Sequence, residues 1–148
     1  MIGHSAKMEI TDGMTEDVGT LLLSGDNDML RTAAGSPMHP QYFSAAGDTS
    51  AAYYSTDISE EGGEIRFTFH GADGAVWEDV RLPMRGLHNV SNALAAIGVG
   101  RTLGLTEDEI RRGLLDYRSV GMRQNIVVSG GVRVIEDCYN ANPESMHA

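Results

Sequence analysis

At 148 residues, 41% of them apolar, the chain has one domain's length and can bury a core. Acids outnumber bases 21 to 11 for a net charge of −10, which argues against nucleic acid or an anionic membrane as the main partner, because phosphate binding needs clustered Lys and Arg. The lone cysteine, Cys138, excludes an internal disulfide, and no apolar run approaches the roughly 18 residues that span a bilayer, so a cytoplasmic protein is expected.

In chain order, Thr20 to Leu23 predicts a buried strand running into a Ser24-Gly25-Asp26 loop. Asp28 to Ala34 predicts a short helix closed by Gly35. Gln41 to Ser44 and Ala51 to Ser55 read as short strands around Gly47. Glu64 to His70 alternates, with Ile65, Phe67 and Phe69 on one face and Arg66, Thr68 and His70 on the other. After the turn at Gly71-Ala72-Asp73-Gly74, Val76, Val80, Leu82 and Met84 are expected to share a face of the returning strand, with Gly62-Gly63 as the flexible lead-in to this hairpin.

From Leu87 the period becomes helical. Val90, Leu94 and Ile97 recur at i, i+4 and i+7, with Ala93 and Ala96 allowing close packing beside them. Asn89 or His88 can cap this helix, and Gly104 can stop it. Thr106 and Glu109 form a capping box for a second helix, with Leu105 and Ile110 at staple positions and Arg111 and Arg112 in its later turns. Gln124 to Ser129 and Val132 to Glu136 predict a second hairpin across Gly130-Gly131. The polarity shift at Ser119 to Arg123 is the expected boundary. Residues 1–120 form one α/β unit, and 121–148 begin another that an open two-stranded piece does not complete, so the chain reads as part of something longer.

Two motifs carry chemistry. His88-Asn89-Val90-Ser91-Asn92 opens the long helix. Asparagine amides supply both donor and acceptor, as reading an adenine edge requires, although a plain N-cap with a spare asparagine explains the same residues. Asn89-Val90-Ser91 is also a glycosylation sequon, which a cytosolic helix makes irrelevant. At the chain's end, Val132, Val134 and Ile135 lead into Asp137-Cys138-Tyr139-Asn140-Ala141-Asn142-Pro143. Polar side chains at the C-terminal end of an α/β strand are where such folds contact ligands, and a turn without a role is the alternative. No GxxxxGK[ST] loop is present, and Lys7 is the sole lysine. Gly98, Gly100 and Gly104 fall in or beside a helix and make no dinucleotide fingerprint. The five histidines show no metal spacing.

Taken together, these residues resemble the Mur ligases. The run from Met84 to Leu114 looks like the family's central-domain helix pair. The stretch from Gly121 to Met146 is similar to the entry into its C-terminal domain, and Tyr139-Asn140-Ala141-Asn142-Pro143 is specific to the branch that adds D-alanyl-D-alanine. Ala6-Lys7-Met8-Glu9-Ile10 and Leu21 to Leu30 resemble the family's lysine segment and the strand-loop after it. The implied fold is α/β: part of a central ATPase-type domain with a mixed sheet, helices and β-hairpins, then the first hairpin of a Rossmann-like domain.

The resemblance implies an ATP-dependent, amide-forming ligase of peptidoglycan precursor synthesis. ATP phosphorylates the terminal carboxylate of a UDP-N-acetylmuramoyl-tripeptide, and the amine of D-alanyl-D-alanine displaces the phosphate through a tetrahedral intermediate. Asn89 and Asn92 would then line the adenine pocket beside His88. Arg123 would meet the ATP phosphates as a catalytic cation, and Asp137 would meet the nucleotide from the closing domain. Tyr139, Asn140 and Asn142 would lie on the substrate-facing loop. Lys7 matches the lysine that the family carbamylates into a magnesium ligand, turning a cation into an anionic oxygen donor.

The chain also departs from the family pattern. It lacks the phosphate-binding loop, the N-terminal UDP-sugar domain and nearly all of the C-terminal domain. A metal-binding histidine segment is missing where Ser5 joins Ala6, and Ser24 and Asn27 stand where Asn and Asp are usual. The expectation is a piece of the ligase that is inactive alone, binds ATP weakly or not at all, and leaves Lys7 a solvated ammonium without magnesium. A non-catalytic nucleotide-sensing or protein-interaction module reusing the central fold is the alternative. A folate polyglutamate synthase is a third reading, which the Tyr139–Pro143 element opposes.

Overall fold

A computed structural model describes residues 9–15, 19–32, 40–118 and 125–136. Lys7, Arg123, Asp137, Tyr139, Asn140 and Asn142 lie outside the described residues, as do the end of the short helix at Ala34 and the boundary at Ser119 to Arg123. The chain divides into two compact units, Met1–Leu115 and Asp116–Ala148.

The first unit is a five-stranded sheet in the order β1 (Leu22–Ser24), β2 (Gln41–Ser44), β3 (Tyr53–Glu61), β4 (Glu64–Gly71) and β5 (Val76–Leu82). The first three strands run parallel, and β3 to β5 form an antiparallel meander, so the sheet is mixed. A short helix, α1 (Asp28–Arg31), follows β1. The long helix α2 (His88–Thr102) packs across β1 to β4, and α3 (Glu107–Leu115) packs against β5 and α2. Asn27 caps α1, its side chain accepting from Met29 and Leu30 N–H.

One face of the sheet makes the core. Ile65, Phe67 and Phe69 of β4 are buried as their alternation predicts, against Val90, Ala93, Leu94 and Ile97 of α2. Burying each large apolar side chain contributes about 1.5–3 kcal/mol. In α2 Ala93 packs closely as expected, but its partner in that expectation does not. Ala96 is exposed, whereas Gly98 and Gly100 are buried. A Cβ on Gly98 would lie 2.6 Å from Leu22 Cδ2 and 3.0 Å from Tyr53 Cε2, so glycine is what lets the helix sit this low on the sheet.

Two strand expectations need correction. The strand from Ala51 to Ser55 instead spans Tyr53–Glu61, and Gly62-Gly63 is the turn of a β3–β4 hairpin rather than a lead-in. The local sequence Thr56-Asp57 looks like a strand end. The ladder continues past it because an irregularity between Thr56 and Ser59, with Asp57 at φ 54°, absorbs the break. In β5, Trp77 is buried and Val76 is 54% exposed. Phe67 pairs with Val80 but Phe69 with Trp77, so Glu78-Asp79 contributes one extra residue and flips the preceding alternation. Asp79 takes φ 51° at this bulge, and Arg111 of α3 donates to the Glu78 and Asp79 carbonyls at 2.9 and 3.2 Å.

The ends of the two main helices follow sequence chemistry. Gly104 at φ 80° lets its N–H reach Arg101 O and the Leu105 N–H reach Gly100 O, both at 3.0 Å, the two bonds of a Schellman stop. The Thr106–Glu109 capping box forms, with Thr106 N–H donating to Glu109 Oε2 at 2.8 Å and Glu109 N–H to Thr106 Oγ1 at 3.4 Å. In the second unit, β6 (Asn125–Ser129) and β7 (Val132–Glu136) pair across Gly130-Gly131, whose φ of 58° and 79° suit a two-residue type I′ turn. Among the described residues no helix is long and apolar enough to cross a membrane.

Candidate functional site

The start of α2 is held in an unusual way. Leu87 occupies the N-cap and offers no side-chain acceptor, so neither Asn89 nor His88 caps the helix as expected. The segment before it is held from elsewhere. Gly86, at φ 88°, donates its N–H to Glu60 Oε2 at 3.0 Å, tying the approach to α2 to the far end of β3. A carboxylate here also faces the positive end of the helix dipole.

Asn89 turns back rather than outward. Its Nδ2 donates to Arg85 O at 2.7 Å, and its Oδ1 accepts from Asn92 Nδ2 at 3.1 Å. Asn89 is half-buried, and Asn92 and His88 are exposed on the same end of the helix. The three predicted residues therefore share one surface, but their parts differ. Asn89 is a brace. Asn92 keeps its Oδ1 and one Nδ2 hydrogen without a hydrogen-bond partner among the described residues. One open acceptor beside one open donor, with the amide orientation set by Asn89, is the pair that matches the edge of an adenine. The amide thus fits the nucleotide that the resemblance implies.

A second polar cluster lies at the C-terminal ends of β1 and β2, and sequence patterning did not single it out. Asp26 accepts from Ser44 Oγ at 2.5 Å and from the Ala45 and Ala46 N–H groups at 2.7 and 3.2 Å. Ser44 is fully buried and its oxygen in turn accepts the Asp48 N–H at 3.0 Å. Arg31 bonds both Gly25 O and Asp48 Oδ2. The Ser50 hydroxyl and the Arg31 guanidinium together hold the Asp48 carboxyl down at about 2, against an ordinary 3.8. Every member of this network is satisfied from within, so its chemistry is that of a loop clamp. Acids just after a buried strand were the available signal, but their partners lie 17 to 20 residues away.

At the other end of α2, Arg101 lies 5.4 Å from the Trp77 ring centre, 5.7 Å from Phe69 and 6.0 Å from Tyr53. It pairs with Asp73 at 2.5 Å. Among the described residues no group of three or more His, Cys, Asp or Glu is placed to hold a metal. The magnesium implied by the resemblance finds no ligand set there.

Comparison with known proteins decides the family. Residues 4–100 match the Mur ligase middle domain. The chain belongs to the Mur ligase family. It is 33% identical over 144 residues to the UDP-N-acetylmuramoyl-tripeptide–D-alanyl-D-alanine ligase of Bacillus subtilis, covering 97% of this chain and 30% of that protein. The crystal structure of MurF from Acinetobacter baumannii superposes with a TM-score of 0.79 at 30% identity, over 97% of this chain and 31% of the other. MurF of Thermotoga maritima, solved in complex with ADP, gives a TM-score of 0.67 at 26% identity, over 97% and 32% of the two chains. A UDP-N-acetylmuramate–L-alanine ligase of Neisseria gonorrhoeae is also similar, 34% identical over 139 residues, covering 88% of this chain and 29% of that protein. The chain thus spans about a third of the length of these Mur ligases, and the mixed α/β sheet expected of the central domain is present.

Proposed function

We infer that this chain is the adenine-reading part of an ATP-dependent amide-forming ligase that adds D-alanyl-D-alanine to a UDP-N-acetylmuramoyl-tripeptide. The observation that carries the reading is the Asn89–Asn92 pair at the head of α2, within a chain 33% identical to a ligase of that name over almost its whole length. Similarity to an L-alanine ligase leaves two acceptors in view. The Tyr139-Asn140-Ala141-Asn142-Pro143 element favours D-alanyl-D-alanine.

In this reading Asn92 hydrogen-bonds the base, Asn89 fixes its amide, and His88 flanks the pocket. Arg123 spreads its charge over the phosphate oxygens, and Asp137 meets the nucleotide from the second domain, of which 121–148 is the opening. Tyr139, Asn140 and Asn142 face the peptide substrate. ATP supplies the phosphoryl group that activates the carboxylate. The magnesium role of a carbamylated Lys7 rests on the resemblance alone, and no step is assigned to it.

The 148 residues encode no phosphate-binding loop, and phosphoryl transfer depends on positioning the phosphates. The chain by itself should therefore release no phosphate from ATP, with or without D-alanyl-D-alanine. In the ligase that carries this segment, Asn92→Ala should raise the apparent KM for ATP about tenfold, the scale of one lost hydrogen-bonded contact. Phosphate release by the chain that responds to D-alanyl-D-alanine, or an unchanged KM in the variant, would overturn the proposal.

A further inference from the structure

We propose that Glu60 is a positioning residue for the base-reading amide of Asn92, an inference that rests on the adenine reading above. Four observations converge on it. Leu87 leaves α2 without a side-chain cap. Gly86 turns the chain at φ 88° just before the helix, a conformation that only glycine adopts without strain. The Gly86 N–H is held by Glu60 Oε2 from β3, 26 residues away in sequence. Arg85, the neighbour of that anchored glycine, presents the carbonyl that Asn89 grips, and Asn89 in turn grips Asn92.

The chain of contacts runs in one direction. The Glu60 carboxylate fixes the Gly86 peptide, which fixes the Arg85 carbonyl. That carbonyl sets the rotamer of Asn89, and Asn89 Oδ1 chooses which edge of the Asn92 amide faces outward. Gly86 O still accepts the Asn89 N–H at 2.9 Å, but without Glu60 the Arg85–Gly86 peptide loses the anchor on its N–H side, the Arg85 carbonyl can tilt, and the Asn92 amide loses its fixed orientation. A ligand that needs one donor and one acceptor in a set order then meets a disordered reader, and pre-organisation is lost. Glu60 touches no ligand itself.

The test is a titration of the isotope-labelled 148-residue chain with adenosine, followed by NMR at the Asn92 side-chain amide. The wild-type chain should give saturable shifts in the millimolar range. Glu60→Ala should weaken this by at least about fivefold, and Glu60→Lys by more, since it also places a cation at the helix's positive end. Glu60→Gln keeps an oxygen acceptor for Gly86 and should stay within about twofold of the wild type. Glu60 is exposed, so the methyl signals of Leu94 and Ile97, buried in the core away from its cross-strand partner Ile65, should be unmoved in all three variants, which separates positioning from loss of fold. Equal affinity in the wild type, Glu60→Ala and Glu60→Lys would overturn the role of Glu60 and leave the adenine reading standing. No adenosine shift at Asn92 in the wild type would overturn the adenine reading, and this inference with it.

Discussion

At its C-terminal end α2 is closed by a Schellman turn at Gly104, and Arg101 is enclosed by three aromatic rings and paired with Asp73. At its N-terminal end the same helix has no side-chain cap and rests on one carboxylate from β3 and two asparagines. The first end is held by packing, the second by a few directional polar bonds. Packing resists substitution in proportion to what it buries. Hydrogen bonds at a surface add little stability but fix orientation. In the proposed reading, the packed end anchors the helix and the polar end meets the nucleotide.

The largest effect should come from the buried face. Leu94 is fully buried under the sheet, so Leu94→Ala should cost about 2–5 kcal/mol in denaturant unfolding. Asn92→Ala, two residues towards the N-terminal end, should change stability by no more than about 0.5 kcal/mol. Similar costs for both would break the contrast. At the start of α3, Thr106→Ala removes the capping box and should cost about 1 kcal/mol, visible as a lower melting temperature.

Acid should loosen the C-terminal end of α2. The Ala75 N–H, and then the Arg101 guanidinium, hold the Asp73 carboxyl below the usual carboxylate range. A carboxyl lowered in the folded state contributes stability above its unfolded pKa of about 3.9, and that contribution disappears as pH falls through the lower folded value. Amide protection around Asp73 and Arg101, measured against the intrinsic exchange rate at each pH, should therefore fall below about pH 4, and Asp73→Asn should remove the acid-dependent part of that fall. A variant that keeps the full acid response would show that another group is responsible.

What could be read from the sequence follows the range of each interaction. The alternation of Ile65, Phe67 and Phe69, the Val90, Leu94 and Ile97 spacing, the Thr106–Glu109 box and the Gly130-Gly131 turn are local patterns, and each takes its expected place. Trp77 and Val76 exchanged faces because the Glu78-Asp79 bulge exists only relative to its partner strand. Close packing expected of Ala96 falls instead to Gly98, because the approach of Leu22 and Tyr53 to that glycine is made across the fold. At the candidate site, the asparagines were legible as a motif. Their different bonding, Asn89 held on both sides and Asn92 open outward, was not, because it depends on Arg85 O and on a glutamate from another strand.

The most direct measurement compares adenosine with guanosine, again at the Asn92 side-chain amide of the 148-residue chain. Asn89 sets the amide's orientation, so its open acceptor and donor should meet the N6 amino group and N7 of adenine, whereas guanine presents two acceptors, O6 and N7, on the same edge. The account predicts saturable millimolar shifts with adenosine that guanosine does not reproduce at the same concentration. Indistinguishable responses to the two nucleosides, or no response at Asn92 to either, would contradict it.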